Sequence, residues 1–221
     1  HGPVQARARP ARRAPMITPL ALDLVAVVIF ALTGALRASR ARLDIVGFVF
    51  LAALTAVGGG TVRDLLLDRH PVFWVDTPVH IAAATAAAVL AFFTAHLLER
   101  APRSLVWLDA AALSIATAAG VATAEDMEQS ALILVIMGVV TGTMGSLMRD
   151  VVAREVPLLL AAGEMYVTAS LAGAATAVAT MRLVEDPTLP VLAGIVVTFT
   201  LRAGSLAFGW RLPVYGPRRN R

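Results

Sequence analysis

Seven apolar stretches joined by short links occupy most of this 221-residue chain. They lie at residues 20–37, 44–67, 78–98, 105–124, 130–153, 164–184 and 190–209. A helix that crosses a bilayer needs about 20 mostly apolar residues, and these runs lack the alternation of a membrane β-barrel. The sequence therefore predicts an all-α integral membrane protein with seven transmembrane helices, whose short links make neighbouring helices antiparallel.

The composition agrees with a membrane protein and excludes other classes. Charged residues make up only 15% of the chain, whereas soluble domains are about one quarter charged. All 19 basic residues are arginine and lie mostly at the ends of apolar stretches, as topology signals do, so we expect no nucleic-acid binding. The sequence has no cysteine and no motif of a hydrolase or phosphate-binding loop, so we expect no enzymatic activity, metal site or cofactor.

The chain also contains an internal repeat with an offset of 86 residues. Residues 20–98 and 106–184 share 18 identities in 79 positions without a gap. The identities include residue types that chance would seldom match: Asp23 with Asp109, Thr55 with Thr141, Gly59 with Gly145, Arg63 with Arg149, and Asp64 with Asp150. Each copy holds three apolar stretches, an odd number, so the second copy crosses the membrane in the opposite direction. We expect two inverted three-helix repeats plus a seventh helix at residues 190–209, an architecture typical of transport proteins.

The distribution of arginine predicts the orientation and the domain limits. With residues 1–15 set aside, the face with the links after stretches one, three and five carries eleven arginines, counting the C-terminal end, against three on the other face; with residues 1–15 counted, the numbers are eleven and seven. Arginine-rich loops stay in the cytoplasm, so we expect a cytoplasmic C-terminus and an outside N-terminus in a bacterial or archaeal inner membrane. Residues 16–210 are interpreted as a single transmembrane domain and residues 211–221 as a basic cytoplasmic tail. Residues 1–15 are interpreted as a disordered tail or an appended cloning remnant.

Glycine clusters at matched positions in the second and fifth stretches are the first candidate site. A glycine inside a helix costs about 1 kcal/mol relative to alanine, so we expect a bend or an unwound turn in each helix. Freed carbonyls in a membrane are tolerated where they line a water-filled cavity, which would make this region an ion path. The alternative is close helix packing through small residues. The candidate path residues are Gly58, Gly59, Gly60, Gly142, Gly145, Thr55 and Thr141.

Two Arg-Asp pairs follow these glycines. Arg63 and Asp64 in the first copy match Arg149 and Asp150 in the second. They are interpreted either as interfacial side chains that reach the membrane surface or as gating or charge pairs on a polar path. Because the repeats are inverted, the two pairs should lie towards opposite faces and share no salt bridge.

Three further charged residues lie inside apolar stretches. Asp23 and Asp109 occupy matched positions near the starts of stretches one and four, where they could cap a helix or attract cations into a vestibule. Arg202 has no acid within its own stretch. A gate, a counter-ion for a carboxylate and a contact with anionic lipid are all compatible with its position.

The doubled motif resembles a known family. GGGTVRDLLLDRHP and GTMGSLMRDVVAREVP each combine glycines, Arg-Asp and a proline seven residues after the aspartate. With seven apolar stretches they resemble prokaryotic members of the trimeric intracellular cation channel (TRIC) family over about residues 16–210. The resemblance implies a homotrimer with one pore in each protomer, formed around the second and fifth helices. It also implies monovalent cations, chiefly potassium, as the permeant species, with membrane lipids as further partners.

Two points limit what is taken from this resemblance. Animal members carry a lysine-containing motif associated with phosphoinositide binding, and this chain has no lysine, so that regulation is not expected here. The architecture also suits a secondary transporter of a small amino acid such as glycine. The sequence leaves the channel and the carrier open.

Overall fold

The computed structural model describes residues 19–99 and 103–214, and the elements in this part of the chain are helices. They are α1 (Pro19–Arg40), α2 (Ile45–Leu66), α3 (Phe73–Asp76), α4 (Val79–Glu99), α5 (Ser104–Asp126), α6 (Ala131–Val152), α7 (Val167–Leu183) and α8 (Thr188–Phe208). A 3₁₀ turn at Leu158–Leu160 precedes α7. The predicted tail at residues 1–15 and most of the predicted tail at residues 211–221 lie outside the described residues.

Helix length and composition identify a membrane protein. Five helices, α1, α2, α5, α6 and α8, are long and apolar enough to cross a bilayer. The apolar parts of α4 and α7 are shorter, at Val79–Thr94 and Val167–Leu183. Each predicted apolar stretch contains one long helix, whose ends fall within about three residues of the prediction. The all-helical integral membrane class is confirmed.

The internal repeat is visible in the backbone of the turns that end the helices. Within residues 19–99 and 103–214, four residues other than glycine have positive φ, between 54° and 57°, a conformation uncommon for such residues. They form two pairs with the 86-residue offset: Arg42 with Glu128, and Asp68 with Arg154. The two copies therefore share turn conformation as well as sequence.

The same correspondence extends to helix packing. In each copy the first helix packs on the second, α1 on α2 and α5 on α6, and the third helix, α4 or α7, packs against both. Contacts of α2 with α6 and of α1 with α5 join the two copies, while α8 covers α5 and α7. The crossing of α2 and α6 thus lies between the two halves.

Helices α2 and α6 run unbroken through their glycine clusters, so the predicted unwound turn is wrong. A Cβ atom on Gly59 would lie 2.2 Å from the carbonyl oxygen of Thr141, and one on Gly145 would lie 2.3 Å from that of Thr55. The missing side chains therefore let two intact backbones touch. Close packing, the alternative interpretation, accounts for both residues.

The remaining glycines of the clusters serve other contacts. A Cβ on Gly58 would meet the sulfur of Met148 at 2.8 Å, and one on Gly60 would meet the ring of Phe73 at 2.5 Å. Gly142 packs against α5. Only one glycine from each helix thus forms the backbone crossing.

Candidate functional site

The crossing of α2 and α6 lies beside a small cavity. Its volume is about 10 Å³, which is room for about one water molecule. Four residues of the predicted site line it, Asp23, Gly59, Gly60 and Thr141, together with apolar side chains from α1, α2, α3 and α5. The structure therefore brings a predicted vestibule residue next to predicted path residues, in a space too narrow for a continuous water column.

The first charge cluster, Asp23, Arg63 and Asp64, joins α1 to α2. The Arg63 guanidinium donates from Nη1 and Nη2 to the two carboxylate oxygens of Asp23, at 3.0 and 3.3 Å. Its Nε donates to Oδ1 of Asp64 at 2.8 Å, and the other oxygen of Asp64 accepts from the backbone N–H of Phe73 at 2.7 Å. The guanidinium also lies 5.3 Å from the centre of the Phe73 ring, within the range of a cation–π contact. The bonds fix α3 against the end of α2.

The second charge cluster, Asp109, Arg149 and Asp150, repeats this pattern between α5 and α6. Arg149 donates from Nη1 to Asp109 Oδ1 at 2.7 Å and from Nε to Asp150 Oδ1 at 2.8 Å. The other oxygen of Asp150 accepts from the backbone N–H of Leu158 at 3.0 Å. Arg149 Nη1 also reaches Thr33 on α1 at 3.0 Å, which links this cluster to the other half of the chain.

These contacts decide between the interpretations of the charged pairs. Arg63 and Arg149 are both 0% exposed, so the proposal of interfacial side chains is wrong. Asp23 and Asp109 bind arginine, and neither lies in the first turn of its helix, so the capping interpretation is wrong as well. Among the described ion pairs the two arginines share no carboxylate, as expected. Buried charges of this kind are stable only when they are paired and hydrogen-bonded.

Arg202 on α8 binds the carboxylate of Glu164, which lies just before α7. Its Nη1 donates to Glu164, which precedes α7, and its guanidinium lies 5.2 Å from the centre of the Tyr166 ring. Tyr166 is fully buried, and its hydroxyl bonds with that of Ser146 on α6 at 2.7 Å. Of the three roles left open for Arg202, the structure supports the counter-ion.

Several residues that contact these clusters were not among the site residues predicted from the sequence. Thr33, Phe73, Ser146, Glu164 and Tyr166 each contact a predicted charged residue or its neighbour. The repeat alignment carries one usable signal. Gly60, which makes room for Phe73, is matched by Ser146, which instead bonds Tyr166. The serine that replaces the glycine in the second copy therefore indicates a hydrogen bond where the first copy has an aromatic packing contact.

Small residues on α7 form a packing surface inside the chain. A Cβ on Gly173 would lie 2.7 Å from the carbonyl oxygen of Gly194, and Ala177 lies next to Gly194. Both Gly173 and Ala177 are buried. This surface therefore packs α7 on α8 within the protomer.

Replacing Glu164 by alanine is expected to lower the free energy of unfolding by about 1–3 kcal/mol. The change removes the carboxylate partner of Arg202, whose side chain is 1% exposed, and a buried charged donor left without its partner costs about that much. Thermal unfolding of the purified protein in detergent measures the effect. Glu155→Ala is the control, because Glu155 is exposed; an equal loss in both variants would contradict the prediction.

Comparison with known proteins supports the repeat and the fold. The family model described as Glycine transporter matches residues 20–96 and 106–182, again 86 residues apart. The UPF0126 inner membrane protein YadS of Escherichia coli K12 is 37% identical over 203 residues, covering 90% of this chain and 97% of its own length. A UPF0126 membrane protein of Vibrio cholerae is 34% identical over 199 residues, covering 88% of this chain and 81% of its own length.

Solved structures give the same result. The TRIC trimeric intracellular cation channel orthologue from Rhodobacter sphaeroides is 42% identical, with a TM-score of 0.83 over 86% of this chain and 98% of that one. A second structure, described as the structural basis for conductance through TRIC cation channels, is 25% identical, with a TM-score of 0.78 over 89% and 97%. The resemblance found in the doubled motif is confirmed by the similarity to TRIC channel structures and UPF0126 membrane proteins. By its family match, the chain belongs to the Glycine transporter family.

Proposed function

We propose that the protein is a monovalent cation channel that conducts chiefly potassium through a pore within each protomer, around α2 and α6. The observation that carries the proposal is the α2–α6 crossing with a buried charge cluster in each repeat. Each cluster has two carboxylates for one fully buried guanidinium, which favours cations over anions, while Arg69 and Arg37 lie at its partly exposed edge. Buried ionisable groups at membrane depth are expensive and typically mark ion paths. The Rhodobacter sphaeroides relative is described as a cation channel.

The proposed path passes from vestibules at Asp23 and Asp109 to the crossing of α2 and α6. The cavity beside the crossing has room for about one water molecule, so we take the described arrangement to be the closed one. Opening then requires α2 and α6 to separate at Gly59 and Gly145, where their backbones touch. The other proposed path residues are Gly58, Gly60, Gly142, Thr55 and Thr141, and the proposed gating residues are Arg63, Asp64, Arg149, Asp150 and Arg202.

The proposed assembly is a homotrimer of seven-span protomers with inverted repeats, in contact with membrane lipids. The five long apolar helices and the two shorter apolar segments support seven spans. The matched turns and the doubled family match support the repeat. One relative is described as trimeric and another as an inner membrane protein, which supports the assembly and the location.

The proposed orientation, with the N-terminus outside and the C-terminus in the cytoplasm, predicts the location of two matched turns. Alkaline phosphatase inserted after Glu128 is expected to be active, because that turn faces outside and the enzyme folds there. The same insertion after Arg42, the equivalent turn of the first copy, is expected to be inactive. Activity only after Arg42 would reverse the topology.

The second candidate function is a carrier of a small amino acid, favoured by the description of the matching family model as Glycine transporter. Purified protein in liposomes separates the two functions. A channel releases potassium down its gradient without glycine, whereas a carrier accumulates radiolabelled glycine and shows saturation. Glycine accumulation without potassium flux would overturn the channel proposal.

A further inference from the structure

The two charge clusters differ in how completely they are hydrogen-bonded. In the first cluster, the three guanidinium nitrogens of Arg63 and all four carboxylate oxygens of Asp23 and Asp64 are bonded. In the second, Arg149 Nη2 is buried without a hydrogen-bond partner among the described residues. The matched positions therefore hold a saturated cluster in one half and an unsaturated one in the other.

The unsaturated bonds weaken the second cluster. A buried polar atom without a partner carries a desolvation penalty that is larger for charged groups. Arg149 Nη1 also divides its bonding between Asp109 and Thr33. A rearrangement of hydrogen bonds therefore costs less free energy in the second cluster than in the first.

Arg37 on α1 is a second cation within reach of the weaker cluster. Its Nη2 lies 3.5 Å from Asp150 Oδ1, the same oxygen that accepts from Arg149 Nε at 2.8 Å. Its Nη1 lies 3.3 Å from Glu155, its side chain is 13% exposed, and its buried Nε has no partner among the described residues. In the described part of the chain, Arg37 therefore makes only two long contacts with carboxylates while Arg149 is bonded to Asp150 Oδ1.

In the part of the chain that the structure describes, no such competitor from the opposite half contacts the first cluster. The residue that matches Arg37 is Thr123 on α5, which is uncharged. The first cluster does have a second arginine nearby, Arg69, which belongs to the same repeat as Asp64. Arg69 Nη1 lies 3.7 Å from Asp64 Oδ1, and its side chain is 38% exposed. The difference makes Arg69 a matched control for Arg37.

We propose that Asp150 exchanges Arg149 for Arg37, and that this exchange opens the second half of the path first, before the first cluster opens. Arg37 is then a positioning residue that stabilises the open arrangement across the interface of the two halves. The inference rests on the proposed channel function, to which it adds the site and order of opening.

Cysteine accessibility tests the exchange without any ion current. The chain has no cysteine, so Thr33→Cys beside Arg149 and Ala119→Cys at the matched position each give a single reporter. Both positions are 0% exposed. A water-soluble methanethiosulfonate is expected to modify Thr33→Cys at least tenfold faster than Ala119→Cys. Ser146→Cys, also buried beside the second cluster, is a second reporter if Thr33→Cys does not fold.

Adding Arg37→Gln is expected to slow modification of Thr33→Cys at least fivefold, while Arg69→Gln changes it less than twofold. Arg37→Lys should restore most of the rate because it keeps the charge. Equal rates at the two reporter positions, or equal effects of Arg37→Gln and Arg69→Gln, would overturn the exchange. If Arg37 had only a structural role, Arg37→Gln would lower the unfolding temperature and would change the modification rates of Thr33→Cys and Ala119→Cys by the same factor.

Single-channel recording distinguishes failure of the exchange from failure of the proposed function. Arg37→Gln is expected to lower the open probability at least fivefold with unchanged unit conductance, and Arg69→Gln to leave both within twofold. If the wild type conducts and Arg37→Gln has the same open probability, the exchange is overturned and the channel proposal stands. A wild-type protein without currents would overturn the channel, and the cysteine rates would then decide the exchange.

Discussion

Replacing Arg149 by alanine is expected to lower the free energy of unfolding by about 3–5 kcal/mol. The substitution leaves Asp109 and Asp150 buried without their guanidinium, and breaking a buried ion pair from one side costs about that much. Arg63→Ala should cost at least as much, because Arg63 holds two buried carboxylates and bonds both oxygens of Asp23. Thermal and denaturant unfolding of the purified variants in detergent measures the loss.

Arg182→Ala is the matched control for this prediction. Arg182 lies in the last turn of α7 and is exposed, so its removal is expected to change stability by less than about 0.5 kcal/mol. If Arg149→Ala lost less than about 1 kcal/mol, the cluster would not hold α5 to α6 as described.

Replacing Gly59 or Gly145 by alanine is expected to destabilise the described closed arrangement and so to raise potassium flux. Each added Cβ would overlap a backbone carbonyl oxygen of the facing helix, at 2.2 or 2.3 Å. Overpacking of this kind costs about 1–3 kcal/mol or more, which exceeds the gain of about 1 kcal/mol in helix propensity. Unfolding in detergent and potassium flux from liposomes measure the two effects.

Gly58→Ala separates the crossing from the glycine cluster as a whole. Its Cβ would meet only the flexible end of the Met148 side chain at close range, so the gain in helix propensity should leave stability unchanged or raised. A similar loss in Gly58→Ala and Gly59→Ala would contradict the account of a backbone crossing at Gly59.

The long helices could be predicted because their signal is local. Length and apolar composition decide whether a segment forms a membrane helix, and the predicted limits agree with the structure within about three residues. The glycines were misjudged for the opposite reason. Their local cost predicts a broken helix, but at Gly59 and Gly145 a contact with a distant helix decides the outcome.

The charged residues of the site were found, but their partners were not. Asp23 and Arg63 are 40 residues apart, as are Asp109 and Arg149, and this equal spacing was present in the sequence. Pairing them still requires knowing which helices cross and at what height. Arg202 and Glu164 lie in segments with no such repeated pair, so no internal comparison could connect them.

A planar-bilayer recording of the purified protein in a potassium gradient tests the central claim most directly. The account predicts discrete current steps that reverse near the potassium equilibrium potential, with an open probability that is raised in Gly59→Ala and unchanged in Gly58→Ala. Steps that reverse near the potential of the anion, or steps that persist unchanged in Gly59→Ala, would contradict a cation path through the α2–α6 crossing.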